Sequence, residues 1–319
     1  MSDTSSETVG PTDSPRNPAP VPACNGPRGW EANDTHIEWV CSHRVWGRRR
    51  CAVFDFDGTL SLLRGHWQGI MVPMMVQTLA AADPHASQEE LTEVVEQFVA
   101  ALTGRPTMHQ ILALVEEVRR RGGQPPDPQQ YLTDYLAQLT ERTQKRLAAL
   151  ARGQCLPDEF LVPGARALLQ ALADRGWLLA VASGTEQDDV RREAAALGID
   201  RFFGPRIWGP VRGDPAFSKQ QAIERLLREH GLEAGEVAVV GDGPAEMLAG
   251  RALGMLTVGV ASDEQHPDGR IHPRKRAHLV AAGADVIVPD FRQLDAIVAL
   301  LEGNLAAAGA PLPSAGACE

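Results

Sequence analysis

The sequence predicts an α/β fold, a doubly wound and mainly parallel sheet interrupted by an inserted all-helical domain. Three observations carry this. Short β-rich apolar runs alternate with longer segments of helical periodicity. The first three runs each end at a polar residue followed closely by Gly, and one interval of about a hundred residues, 62–163, holds almost nothing strand-like. With 319 residues, 44% of them hydrophobic and 23% charged, the chain has the length for one or two domains and the apolar material for a core.

Residues 1–35 carry Pro11, Pro15, Pro18, Pro20, Pro22 and Pro27 among Ser, Thr, Asp and Gly. So little apolar surface cannot offset the entropy of ordering, and a disordered tail is expected. The sheet core is expected over 36–61 and 164–303. Its strands are RCAVFDF at 50–56, WLLAVAS at 177–183, VAVVGD at 237–242, LTVGVA from Leu256 and DVIVP from Asp285. In a doubly wound sheet the carboxyl ends of such strands share one edge, where ligands bind, so three distant polar loops should converge. Between them, helices are expected at 68–82, 87–102, 107–121 and 127–150. Ser87 and Glu90 form a capping-box start, Leu91, Val94, Val95 and Phe98 follow at helical spacing, and Gly122, Gly123, Pro125 and Pro126 mark a boundary. The stripe Met71, Met74, Met75 reads as core of this helical unit. Residues 304–319, rich in Ala, Gly and Pro, read as a second flexible tail.

The formal net charge is −10, and the longest basic runs are only Arg48 to Arg50 and Arg274 to Arg276. Bulk electrostatic binding of nucleic acid is therefore not expected. A phosphorylated small molecule remains compatible if a metal ion inverts the sign locally. Five cysteines, Cys24, Cys41, Cys51, Cys155 and Cys318, lack both metal-site and disulfide-framework spacing. No apolar run reaches the roughly 18 residues a membrane span needs, and no secretory signal is visible. The expectation is a cytoplasmic protein with reduced thiols and no membrane or nucleic-acid partner.

The strongest chemical signal is FDFDGTL at 54–60, directly after the first strand. Gly58 lets the chain turn at once, so Asp55 and Asp57 can face one small site. Such a pair suits attack by one carboxylate on phosphorus while the other handles a proton. At the second strand end, Ser183 and Gly184 can hold a phosphoryl oxygen through a hydroxyl and backbone N–H groups. Lys219, at a helix start, can place an ammonium on nucleophile and phosphoryl group alike. At the third strand end, GDGPAE sets Asp242 and Glu246 four residues apart, hard oxygen ligands of the kind Mg²⁺ takes. Taken singly, each of these is also compatible with a solvated turn, a helix cap or a surface lysine.

In this order and at these strand ends, the four elements resemble the haloacid dehalogenase superfamily over residues 50–301. The resemblance implies a Rossmann-like core with the 62–163 insertion as a C1-type helical cap. It implies Asp55 as the nucleophile that becomes aspartyl phosphate, Asp57 as general acid and base, and Ser183 and Lys219 as phosphoryl ligands. Mg²⁺ is implied on Asp55, Asp242 and the Asp57 carbonyl. Glu246 stands where the family often has Asp, so its share in the metal site is less direct. Asp57 also discriminates within the superfamily, because dehalogenases lack this acid, the phosphonate-cleaving branch has Ala and ion pumps have Thr. The function implied is a Mg²⁺-dependent phosphatase acting on a small phosphorylated substrate, a sugar or cyclitol phosphate. Alternatives are a phosphomutase of the β-phosphoglucomutase kind and a non-catalytic scaffold of the same fold. Arg64, His66 and Trp67, with Arg105, Thr107 and His109, are the candidates for leaving-group recognition.

Overall fold

A computed structural model describes residues 37–40, 49–102, 107–211, 217–264 and 267–304. The N- and C-terminal tails and Arg105 lie outside these described residues. Among the described residues, the sheet strands are β1 (Glu38–Trp39), β2 (Cys51–Phe54), β3 (Leu178–Ala182), β4 (Ile207–Trp208), β5 (Val237–Gly241), β6 (Leu256–Val260) and β7 (Val286–Val288). Their order is β1-β7-β6-β5-β2-β3-β4. All pairs are parallel except β1 with β7. The chain thus steps outward from β2 in one direction to β3 and β4, then returns to build β5, β6 and β7 on its other side. That reversal makes the carboxyl end of β2 the topological switch point, where a crevice opens.

Side chains alternate across the sheet with the strand period of two. Ala52, Phe54, Leu179, Val181, Ala238 and Val240 belong to one hydrophobic cluster, whereas Cys51, Val53, Ala180, Ala182, Val237 and Val239 belong to another. Helices α5 (Ala165–Asp174), α6 (Gln187–Ala196) and α10 (Leu294–Glu302) cover the first face. Helices α7 (Lys219–His230) and α8 (Pro244–Ala252) cover the second, and α9 (Pro273–Ala281) packs beside α8 in a smaller cluster through Leu279. Burial on both faces explains why these strands read as continuous apolar runs.

Helices α1 (Gln68–Ala82), α2 (Gln88–Ala101), α3 (Thr107–Arg120) and α4 (Pro128–Ala151) build a core of their own from Met71, Met75, Leu79, Leu91, Val95 and Tyr131. Ser87 Oγ accepts from Glu90 N at 3.1 Å, the N-cap bond the sequence suggested. Asp127 caps α4 by accepting from Gln130 N at 2.8 Å. The loop leading into this unit is tied back to α4. Arg142 donates to the carbonyls of Gly65 at 2.8 Å and His66 at 2.9 Å, and Arg146 to that of Leu63 at 2.6 Å. His66 sits at φ +60°, a left-handed conformation that side chains disfavour.

Two strands escape the sequence reading, and both are two residues long. The antiparallel β1 is tied down by the ion pair of Glu38 with Arg276 on α9, in which Arg276 Nε donates to Glu38 Oε2 at 2.5 Å and Nη2 donates to Oε1. Among the described residues, no helix is long and apolar enough to cross a membrane. Cys51 and Cys155 are free thiols, and burial pushes the Cys51 thiol up to about 12.

Candidate active site

Strand register places the candidate residues. Phe54 on β2 lies opposite Val181 on β3 and Val240 on β5, so Asp55, Ser183 and Asp242 emerge side by side one or two residues further on. Asp55 N donates to Val240 O at 2.9 Å and extends the ladder to the very edge. Beyond it the chain turns through Gly58 at φ +74°, where a Cβ would stand 2.2 Å from Asp242 Oδ2. The loop after β2 and the loop after β5 therefore touch, and only a residue without a side chain permits that approach.

Lys219, the first residue of α7, reaches across this edge. Its Nζ donates to Asp55 Oδ1 at 2.7 Å and also to Glu246 Oε1. Ser218 fixes the helix start by accepting from Gln221 N at 3.1 Å. Burial alone would lower the Lys219 ammonium, but the Asp55 and Glu246 charges raise it above its ordinary value, so it stays charged. Glu246 is 3% exposed, and burial followed by the Asp55 charge pushes its carboxyl up to about 7. A Cβ on Gly241 would meet Glu246 Cγ at 2.4 Å, which explains the first glycine of GDG as room for this returning side chain.

Asp57 keeps 29% side-chain exposure and faces the other way, toward β3 and α6. Its Oδ2 accepts from Thr185 Oγ1 at 2.7 Å, and Thr185 N in turn donates to Ser183 Oγ at 3.0 Å. Ser183 itself is buried, with 1% exposure. Arg64 Nε lies 3.9 Å from Asp57 Oδ1. Burial pushes the Asp57 carboxyl up to about 7 against the pull of Arg64. A carboxyl held there can exist in both protonation states near neutral pH.

The structure thus brings Asp55, Asp57, Ser183, Lys219, Asp242 and Glu246 to one sheet edge. Arg64 is close by but engaged. Its Nη2 donates to Glu193 Oε1 at 2.7 Å and to Asp189 Oδ2 at 3.2 Å, both on α6. A cavity of about 520 Å³ opens above the edge, walled by Asp57, Gly58, Gly184, Thr185 and Asp242 below and by Trp67, Gln68, Thr107, Gln110 and Tyr135 of the helical unit above. Of the remaining sequence candidates, His66 and His109 are not among the described residues lining this cavity, and His109 is exposed on α3.

Several participants went unnoticed in the sequence. Lys275 on α9 donates from Nζ to Asp242 Oδ2 at 2.9 Å and to Glu264 Oε1 at 2.8 Å. Burial alone would lower it, but the Asp242 and Glu264 charges raise it. Its one signal in the sequence was its place in the basic run Arg274 to Arg276. Glu193, fully buried beneath Arg64, had none.

The residues fit a hard divalent cation on two grounds. Glu246 Oε2, on a carboxyl that feels both the Asp55 and the Asp242 charges, is buried without a hydrogen-bond partner among the described residues. In addition, Asp55 raises the carboxyls of both Asp242 and Glu246, after burial as the larger cause for each, so the cluster carries more negative charge than Lys219 and Lys275 neutralise. No group of three or more His, Cys, Asp or Glu among the described residues forms a ready cage. Mg²⁺ does not need one, since it binds through one or two carboxylates and fills its octahedron with carbonyl, water and phosphate oxygens.

Comparison with known proteins shows the family to which the chain belongs. Residues 50–254 match the family model of haloacid dehalogenase-like hydrolases, and residues 217–293 match a second model of the same kind. A phosphoglycolate phosphatase of Synechococcus elongatus is 27% identical over 208 residues, 65% of this chain and 82% of that protein. A phosphoglycolate phosphatase of Haemophilus influenzae is 32% identical over 101 residues, 31% of this chain and 44% of that protein. Among solved structures, a haloacid dehalogenase-like protein of Agrobacterium tumefaciens superposes with a TM-score of 0.54 at 18% identity, covering 79% of this chain and 99% of that one, which supports the fold. The family model spans well over half of the chain and includes the edge that carries Asp55, Asp57, Lys219 and Asp242. The chain belongs to the haloacid dehalogenase-like hydrolases.

Proposed function

We propose that this hydrolase is a Mg²⁺-dependent phosphatase that cleaves the monoester of a small polyhydroxylated metabolite, a sugar or cyclitol phosphate, with the 62–163 unit as its cap. The observation that carries the reading is the pairing at one sheet edge of Asp55, held through Oδ1 by Lys219 at 2.7 Å, with Asp57, held through Oδ2 by Thr185 at 2.7 Å. Asp55 attacks phosphorus through its other oxygen. The bond from phosphorus to the ester oxygen breaks, and Asp57 delivers its proton to the departing alkoxide. The resulting aspartyl phosphate is then opened by water, from which Asp57 takes a proton, and inorganic phosphate leaves with Asp55 restored. Thr185 holds Asp57 by its Oδ2 and so fixes which oxygen faces the proton in transit. Asp55, Asp242 and the Asp57 carbonyl would hold Mg²⁺, with Glu246 supporting Lys219. The ion would supply charge neutralisation for the phosphoryl oxygens in this acidic cleft.

A neutral polyol is favoured by the cavity wall. Its described cations, Arg64 and Lys275, are both occupied by carboxylates, whereas Gln68, Thr107, Gln110 and Tyr135 offer neutral hydrogen-bonding groups. Both curated relatives described above are named phosphoglycolate phosphatases, which makes a carboxylated two-carbon substrate the competing reading. A panel of sugar, cyclitol and glycolate phosphates, assayed with Mg²⁺ and again with EDTA, separates them. Hydrolysis of the polyol phosphates that EDTA abolishes is expected. A kcat/KM for phosphoglycolate about tenfold above every polyol phosphate would transfer the assignment, and activity indifferent to EDTA would remove the metal.

A further inference from the structure

Lys275 and Glu264 stand outside the mechanism above, yet they meet one of its carboxylates. We infer that Lys275 is an internal counter-ion of Asp242, holding it while the divalent site is empty and yielding it to the cation by withdrawing onto Glu264. The inference rests on the reading of Asp242 as a metal ligand and concerns how that ligand is controlled. Its first ground is atomic. Lys275 Nζ donates to Oδ2 of Asp242 at 2.9 Å, and it is the same Oδ2 that a Cβ on Gly58 would approach to 2.2 Å. The ammonium therefore sits on the carboxylate oxygen that faces the Asp57-Gly58 turn, whose carbonyl is the neighbouring ligand proposed for Mg²⁺. An ammonium 2.9 Å from Oδ2 and a divalent ion on the same oxygen repel each other, so Lys275 competes with the ion for that oxygen and weakens its hold.

The second ground is that Lys275 has somewhere to go. Glu264 Oε1 already accepts from it at 2.8 Å, and with 15% side-chain exposure Glu264 is as enclosed as Lys275 at 16%. Released from Asp242, Lys275 remains neutralised by Glu264, so no buried ammonium is left unpaired. The third ground is how the lysine is carried. Lys275 lies in the first turn of α9, and the next residue, Arg276, is clamped to Glu38 on the edge strand β1. The helix backbone is thereby anchored while the flexible four-carbon stem of Lys275 is free to move its ammonium between the two acids. Lys275 acts through Asp242 and is a positioning residue.

The sign of this role is unusual and testable. A group that merely orients a ligand weakens metal binding when removed, typically by about 10–100-fold. A competing internal cation does the reverse. Mg²⁺ alone is titrated calorimetrically into the full-length wild-type chain, Lys275→Met and Glu264→Gln, with melting temperatures recorded in EDTA and across the Mg²⁺ series. The expectation is a Kd for Mg²⁺ about tenfold tighter in Lys275→Met and about tenfold weaker in Glu264→Gln, where Lys275 has lost its second acid. Lys275→Met should also melt lower than wild type in EDTA and recover more on adding Mg²⁺. Equal or weaker Mg²⁺ binding by Lys275→Met, or unchanged binding by Glu264→Gln, overturns the inference. Should Lys275→Met fail to fold without metal, the Glu264→Gln titration decides alone. Wild-type protein that binds no Mg²⁺ at all overturns the metal site itself, a result distinguishable from the other two.

Discussion

Replacing Gly58 by Ala probes the closest approach in the site. The added Cβ would lie 2.2 Å from Asp242 Oδ2, more than 1 Å short of the roughly 3.5 Å at which such atoms rest in contact. The backbone there is at φ +74°, which costs an L side chain about 1–2 kcal/mol. Part of that is offset by the reduced freedom of Ala in the unfolded chain, about 0.4–1 kcal/mol. These two effects leave a net loss of about 1 kcal/mol, and relieving the clash with Asp242 adds to it. The effect on activity should be larger, because the contact is relieved either by turning the Asp242 carboxylate or by shifting the Asp55 loop. A displacement of about 1 Å in a reacting constellation costs on the order of 10²-fold. Steady-state hydrolysis of p-nitrophenyl phosphate with saturating Mg²⁺, together with a thermal melt, reads both quantities. A Gly58→Ala protein whose kcat/KM stays within about threefold of wild type would refute the claim that the two loops meet at this point.

Three further outcomes are expected. Glu193→Gln removes the fully buried partner of Arg64 and should cost about 1.5–3 kcal/mol in denaturant unfolding, with kcat falling more than KM changes as Arg64 settles on Asp57. The double change Arg142→Met and Arg146→Met frees the carbonyls of Leu63, Gly65 and His66, so amide hydrogen exchange in residues 62–67 should rise while that of β2 and β5 stays unchanged. Arg121 holds Asp83 below the usual carboxylate range, and against the burial that would raise it, Arg120 and Arg121 hold Glu117 down as well. These depressed carboxyls stabilise the fold above their unfolded values near about 4 and lose that effect as pH falls through their lower folded values. Arg121→Met should therefore melt below wild type at pH 7, and the gap should close in acid.

How far the sequence could be read depended on the range of the interactions involved. Strands β2, β3, β5, β6 and β7 are buried on both faces, so each announces itself as an apolar run. β1 and β4 are two residues long and are defined by partners far away in the chain, so no local pattern marks them. The same division runs through the site. Asp55, Asp57, Ser183 and Asp242 sit at strand ends, and strand ends plus a parallel topology suffice to bring them together. Lys275 reaches Asp242 from α9, and Glu193 reaches Arg64 from 129 residues away, through side chains whose targets depend on how helices dock. Thr185 lay in plain sight beside Ser183, but its bond to Asp57 follows only from the turn in which Thr185 N donates to Ser183 Oγ. Arg64 was legible as a cation near the nucleophile loop, while its engagement with Glu193 was not.

Whether Asp55 carries the phosphoryl group can be examined without knowing the substrate. Wild-type protein mixed with p-nitrophenyl phosphate and Mg²⁺ is quenched in acid during turnover, digested, and mapped by mass spectrometry. A phosphoryl adduct confined to the peptide that contains Asp55 is expected, together with its absence from Asp55→Asn and a loss there of about 10³-fold or more in kcat. An Asp55→Asn protein that still turns over at near wild-type rates, or an adduct located on another residue, would contradict it.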